Sequence, residues 1–129
     1  MKTLPNGLKI FNATPHLIRF WMDGWAEPIE ISTDKAISAQ PHDQPVASFN
    51  TGHAHTDGDV WLVRTAFVGD DAGEQIIADA KSQGAHVIVG SIIAAQAYPG
   101  KVVAMVPAPG YERVPPEEKR MRPDKFTTF

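Results

Sequence analysis

A length of 129 residues and a hydrophobic content of 43% fit one globular domain that can bury a core without covalent crosslinks. The formal charge of -3, from 12 Lys and Arg against 15 Asp and Glu, argues against duplex nucleic acid as a partner. The chain has no cysteine, which excludes disulfides, thiolate metal sites and a cysteine nucleophile.

The first half of the sequence predicts short strands separated by turns. Strands are expected at 8–10, 17–21 and 28–31, with Asp23 and Gly24 forming a hairpin turn between the last two. Residues 32–58 are poor in apolar side chains and predict mostly loop, with one short strand at 46–49. The nearly continuous apolar run 60–68 predicts a strand in the centre of a sheet.

The second half predicts two helices between further strands. Asp71 and Glu74 form a capping-box pattern that begins a helix, and Gly84 ends that helix. A strand at 86–89, a short helix at 92–98 and a strand at 101–106 follow. Antiparallel strands followed by a β-α-β-α-β order predict an α+β fold, in which a small antiparallel or mixed β-sheet carries two short helices.

The composition changes near residue 110 and predicts a boundary there. Residues 1–110 are expected to form a single α+β domain, and residues 111–129 a Pro-rich and charge-rich C-terminal tail on the surface. Pro116 is expected to begin one or two helical turns. Because Phe126 and Phe129 lie near its end, we expect the tail to dock on the domain or on a neighbouring subunit of a homo-oligomer.

Targeting signals are not evident in the sequence. The first five residues are too short and polar for a signal peptide, and no apolar run is long enough to cross a membrane. We therefore expect a cytoplasmic protein without a membrane partner.

Gly90 and Ser91 stand where a strand passes into a helix. Free backbone N–H groups and a hydroxyl at that point predict a site for an anion. Ser91 as an ordinary helix N-cap is the simpler interpretation. A serine nucleophile is disfavoured because the second glycine of a nucleophile elbow is missing, and no GxGxxG or Walker loop supports a dinucleotide or ATP-hydrolysing site.

Basic residues near aromatic ones add a second signal for an anionic ligand. Arg19 and Arg64 each lie beside aromatic residues, and guanidinium groups on aromatic faces stack bases and bind phosphates. Alternatively, both arginines lie on the solvent face of a strand. Tyr111, Arg113 and Lys119 are candidates to close a polar pocket over the helix start, although the mixed charges of the tail also fit a solvated surface.

His53, His55, Asp57 and Asp59 alternate along the chain. An extended backbone would present all four on one side as metal ligands. The flanking Gly52 and Gly58 favour a solvated loop instead, so we predict no metal and no cofactor.

The segment Ile10–His16, IFNATPH, resembles the "NLTPH" opening of small uncharacterised proteins of bacteriophages, prophages and actinobacteria. The segment Val87–Pro107 is similar to their later pattern, YIVS followed by a small apolar run, Pro-Gly and a hydrophobic strand. Ala13 stands where the family usually has leucine, and a glycine separates Val89 from Ser91. The resemblance implies a phage-type accessory protein, acting in the host cytoplasm, and transfers no activity.

These observations lead to one main hypothesis. We expect a non-enzymatic, oligomeric protein that binds and sequesters a small anionic, nucleotide-like ligand, such as a signal of host defence, at a site made by these residues: Gly90, Ser91, Arg19, Arg64, Tyr111, Arg113 and His16. Asn12, Thr14 and His16 are also expected to lock a turn through side-chain hydrogen bonds. The alternatives are a small metal- or His-dependent enzyme that cleaves a phosphate or glycosidic bond, and a protein–protein interaction or virion protein.

Overall fold

The computed structural model describes residues 1–52 and 58–129 and shows an α+β fold, as the sequence predicts. Two α-helices and a single 3-10 turn, Pro116–Glu118, accompany the strands of the described chain. The elements in chain order are β1 (Lys2–Thr3), β2 (Lys9–Asn12), β3 (Ile18–Phe20), β4 (Ile29–Ile31), β5 (Gln40–Phe49), β6 (Val60–Val68), α1 (Asp71–Ser82), β7 (Val87–Val89), α2 (Ile92–Ala97), β8 (Ala104–Pro107) and β9 (Met121–Thr127).

One sheet has the order β1-β2-β7 and carries both helices. β1 pairs antiparallel with β2, and β2 pairs parallel with β7, so that Phe11 lies opposite Ile88. Phe11 and Ile88 pack with Ile77 of α1 and Ala94 of α2 in one hydrophobic core. The ring of Tyr98, which is 1% exposed, lies in the same core.

A second sheet has the order β4-β3-β9-β8 and contains the last strand of the chain. β9 lies between β3, its parallel neighbour, and β8, its antiparallel neighbour. Phe126 of β9 packs against the buried Phe20, with 6.1 Å between the ring centroids. The C-terminal segment, predicted to lie on the surface, therefore contributes a strand inside a sheet.

Helix α1 begins one residue earlier than the capping-box pattern indicates. Asp70, not Asp71, is the N-cap, and its side chain accepts a hydrogen bond from Gly73 N at 2.7 Å. Gly84 follows the helix with a φ of 94°, which a glycine adopts without strain, as predicted for its end. The hairpin between β3 and β4 likewise turns at Gly24, with a φ of 94°.

The largest departure from the prediction is a long β-hairpin formed by β5 and β6. Residues 40–49 were expected to be loop except for 46–49, yet all ten form a strand that pairs antiparallel with β6. β6 was expected in the centre of a sheet, but it belongs to a two-stranded ribbon whose residues are exposed, apart from the half-buried Phe67. The two strands pair here without being buried. The pattern of apolar residues in a sequence does not show whether a strand is buried or only paired.

Across the described ranges, no helix combines the length and apolar character needed to span a membrane.

Candidate functional site

The candidate site is a pocket of about 490 Å³ between the turn after β2, the segment before β5, the start of α2 and the C-terminal segment. This volume lies in the range of small-molecule sites. We call it the apolar pocket. Its lining residues are Thr14, Pro15, His16, Leu17, Ile18, Arg19, Ile37, Ser38, Ala39, Gly90, Ser91, Ile93, Met105, Pro116, Lys119 and Met121.

The turn that forms one wall is locked by Asn12, as the sequence predicts. Asn12 is fully buried, and its Nδ2 donates to His16 O at 2.8 Å and to Ile31 O at 3.0 Å. Its Oδ1 accepts from Thr14 N at 2.9 Å, with the Thr14 hydroxyl also 2.6 Å away. These bonds satisfy both ends of the amide and fix the backbone that carries His16 to Arg19 along the pocket.

Gly90 has a packing role at this site. A Cβ at position 90 would lie 2.6 Å from Val102 Cγ1 and 3.0 Å from Ala94 Cβ, so only glycine lets the chain pass this closely by Val102 and α2. The Gly90 N–H donates to Val103 O at 2.9 Å. It is therefore not a free donor, and that part of the sequence-based prediction of a backbone anion site is wrong.

Ser91 is the N-cap of α2, as the simpler interpretation predicts. Its Oγ accepts from Ala94 N at 3.1 Å, and the residue is exposed at the pocket wall. A hydroxyl that accepts one bond still has its own proton to donate. Ser91 can therefore donate to a ligand without giving up its capping bond.

Three basic side chains border the apolar pocket. Arg19 is half-buried, and its Nε lies 3.4 Å from Oε1 of Glu30. Lys119 follows the 3-10 turn, and its Nζ lies 3.5 Å from Glu112 O, which is a long contact. The His16 side chain is exposed and makes no hydrogen bond to the described residues. None of the described lining residues is an Asp or Glu.

The remaining lining is mostly aliphatic and was missed by the sequence reasoning. Leu17 is 42% exposed and Ile93 is 40% exposed, whereas the adjacent Ala94 and Ala95 are buried. In α2 the small residues thus face the core and large ones face outward. Large apolar residues of a helix usually face the core, so this reversed pattern is a signal in the sequence for a surface that contacts a ligand.

A second pocket of about 500 Å³ adjoins the first at Arg19. Tyr111 lines it, and Arg120 lies over the rings of both Trp21 and Tyr111, 5.1 Å and 5.0 Å from their centroids. This cation–π contact was not expected from the sequence, which paired Trp21 with its neighbour Arg19. Three carboxylates also line this pocket: Glu30, Glu117 and Glu118.

The structure brings together four of the seven predicted ligand-binding residues. Gly90, Ser91, Arg19 and His16 line the apolar pocket, while Tyr111 lines only its neighbour. Arg64 lies exposed on β6, and Arg113 lines neither pocket.

The alternating His and Asp residues give no described metal site. His53, His55 and Asp57 lie outside the described residues, and Asp59 is exposed beside β6. Within 1–52 and 58–129, no group of three or more potential ligand side chains is placed to hold a metal ion.

Comparison of the chain with protein-family models, with curated proteins and with solved structures found no match.

Proposed function

We propose that the protein binds and sequesters a small anionic, nucleotide-like ligand in the apolar pocket. The observation that carries this proposal is the contrast between the two adjoining pockets. The apolar pocket is bordered by Arg19, Lys119 and His16 with no carboxylate among its described lining, whereas in its neighbour three glutamates outnumber two arginines, Arg19 and Arg120. The charges therefore favour an anion in the first pocket over the second.

The apolar lining favours a ligand that also has a planar or aliphatic part. Ile93, Met105 and Met121 supply thioether and methyl surface in the same pocket as the basic side chains. Sulfur and aliphatic groups pack well against aromatic rings, and most small-molecule sites combine such a surface with a few polar groups. A nucleobase against this surface, with its phosphate at Lys119 and Arg19, would use both parts of the lining.

Ser91 in this arrangement acts as a hydrogen-bond donor. Its described partner is the backbone N–H of Ala94, and no imidazole is hydrogen-bonded to it among the described residues. The groups of the pocket are suited to binding a ligand, and we therefore propose sequestration without turnover. On the resemblance to phage accessory proteins, we propose that the sequestered ligand is a signal of host defence.

The first test is to incubate purified protein with a panel of nucleotides and cyclic nucleotides and to isolate the complex. The protein is then denatured by heat, and the released molecules are identified by mass spectrometry. We expect one member of the panel to be retained and released intact. Retention of none would overturn the proposal, and release of an altered molecule would favour the enzyme alternative.

A charge-reversal variant tests whether the ligand binds in the apolar pocket. For Lys119→Glu we expect the Kd of the retained nucleotide, measured by calorimetry, to rise at least about tenfold, because a hydrogen bond to a charged group contributes about 1.5–3 kcal/mol. Lys125→Glu is the matched control, since Lys125 is exposed and lines neither pocket. Equal effects of the two variants would place the ligand elsewhere.

A further inference from the structure

Arg19 lies where the apolar pocket meets the second pocket, and it lines both. A guanidinium has several N–H donors in a fixed fork. Within the described chain only the Nε of Arg19 makes a polar contact, the 3.4 Å approach to Glu30 Oε1. The two terminal nitrogens are therefore available as donors, and a planar fork of this kind binds a phosphate group.

The second pocket presents groups that are suited to a ligand with hydroxyls. Glu117 and Glu118 are exposed, and their carboxylates make no ion pair or hydrogen bond to the described residues. A carboxylate only accepts hydrogen bonds, so its ligand must donate them. Pro28, Val114 and the ring of Tyr111 supply apolar surface in the same pocket. A sugar ring, which carries several hydroxyl donors on a carbon frame, matches both kinds of group.

The position of Arg19 between the two pockets bears on how the bound phosphate is bonded. A terminal phosphate at Arg19 would bring a charge of about -1.5 to -2 next to the glutamates of the second pocket, and like charges repel. A phosphate that is esterified on that side carries less charge and places a neutral group there instead. The two pockets, of about 490 Å³ and 500 Å³, each have the volume of a small-molecule site. One ligand with two parts can therefore occupy both.

We propose that the ligand of the apolar pocket is a nucleoside diphosphate esterified with a second sugar, which lies in the second pocket. The nucleoside packs on the apolar lining. Arg19 and Lys119 hold the diphosphate, one cation to each phosphate. The sugar hydroxyls donate to the carboxylates of Glu117 and Glu118. This inference rests on the proposed function and narrows its ligand to one chemical class.

Matched pairs of ligands test the contribution of the second sugar. The probes are ADP, UDP, CDP and GDP, each compared by calorimetry with its glucose ester, such as ADP with ADP-glucose. The nucleobase and the diphosphate are the same within a pair, so the difference in Kd reports the sugar alone. For the nucleobase that binds, we expect the glucose ester to have a Kd at least about tenfold lower than its diphosphate, because its hydroxyls donate to charged acceptors.

A double variant, Glu117→Ala with Glu118→Ala, tests where the sugar binds. We expect the Kd of the glucose ester to rise by about tenfold, and that of the diphosphate to fall, because two negative charges near an anion are removed. Glu27→Ala is the matched control, since Glu27 is exposed and lines neither pocket. Circular dichroism confirms that each variant is folded.

The outcomes separate this inference from the proposed function. A diphosphate that binds the native chain as tightly as its glucose ester would overturn the inference alone. So would a glucose ester that binds the double variant as tightly as the native chain. If the native chain binds none of the probes and retains no nucleotide, the proposed function is overturned as well.

Discussion

Asn12 contributes more hydrogen bonds to the fold than its size suggests. We expect Asn12→Ala to lower the free energy of unfolding by about 2–4 kcal/mol, because it leaves the buried Ile31 carbonyl, the buried Thr14 N–H and the part-buried His16 carbonyl without this partner. Urea denaturation of the native and variant chains measures the difference. Because the same turn borders the apolar pocket, the variant should also bind ligand more weakly.

The control for this prediction is Asn50→Ala. Asn50 also makes local bonds, accepting from Gly52 N at 2.8 Å, but it is exposed, so water replaces the lost partner. We expect a change below about 1 kcal/mol. Equal losses at the two positions would show that burial does not determine the contribution of Asn12.

The sequence could predict this turn and the Ser91 cap because both depend on residues within a few positions of each other. It could not predict the contact of Arg120 with the rings of both Trp21 and Tyr111. Trp21 and Arg120 are joined only through the pairing of β3 with β9, which brings Met121 opposite Phe20. The candidate pocket could not be predicted for the same reason, since its walls come from four segments that are far apart in the sequence.

At the scale of elements, Tyr98 joins α2 to the start of α1 and to the base of the hairpin. Its hydroxyl accepts from Asp70 N at 3.0 Å and lies 3.3 Å from Ser38 O. Gly69 and Gly73 leave room for the ring, because a Cβ at either position would overlap it. The close packing explains why both positions carry glycine although Gly73 lies within a helix.

Tyr98 also predicts how stability depends on alkaline pH. Burial raises the pKa of the Tyr98 phenol above its ordinary value of 10.0, and the Asp70 carboxylate adds to this while the Asp70 N–H opposes it. Above about pH 10 the unfolded chain therefore loses this proton before the folded chain does, and the free energy of unfolding falls as pH rises. Below that pH the contribution is complete.

We expect Tyr98→Phe to flatten this alkaline loss, measured by urea denaturation between pH 9 and roughly pH 11. At neutral pH the same variant should be less stable by about 1–2 kcal/mol, because the Asp70 N–H loses its acceptor. Tyr111→Phe serves as the control, since Tyr111 is only half-buried and makes its ring contacts at the surface pocket. A native pH profile unchanged in Tyr98→Phe would contradict the assignment.

The hairpin shows why element predictions failed in the middle of the chain. Residues 40–49 contain two prolines and several polar residues, which normally indicate loop, and the near-continuous apolar run of β6 normally indicates burial. Pairing between the two strands overrides both signals, because β5 and β6 form a continuous antiparallel ladder although the residues of both strands are almost all exposed.

At the scale of the whole molecule, the C-terminal strand connects the ends of the chain. Asn6 Nδ2 donates to the carbonyl of Pro123 at 3.0 Å, and Pro123 is fully buried. β9 fills the position between β3 and β8, so its backbone bonds satisfy both neighbours. Composition alone suggested a surface tail because proline and charge are abundant there, while its one buried residue, Pro123, and the half-buried Phe126 stand among charged neighbours.

This arrangement predicts that the end of the chain is required for folding. A chain that stops after Arg120 would lose β9 and the contact of Phe126 with Phe20, leaving β3 and β8 with unpaired backbone groups and an open core. We expect it to show no cooperative thermal transition by circular dichroism, since the loss exceeds the usual margin of stability of about 5–15 kcal/mol. A chain that stops after Thr127 keeps all of β9 and should melt within a few degrees of the full chain.

The comparison of these two truncations also decides how partner binding can be tested. If the shorter chain unfolds, loss of partner capture on deleting residues 111–129 would report unfolding and not a lost contact surface. Point substitutions of exposed residues that lie outside both cores then become the informative variants. A shorter chain that keeps a cooperative transition at the temperature of the full chain would show instead that β9 docks on a domain already complete without it.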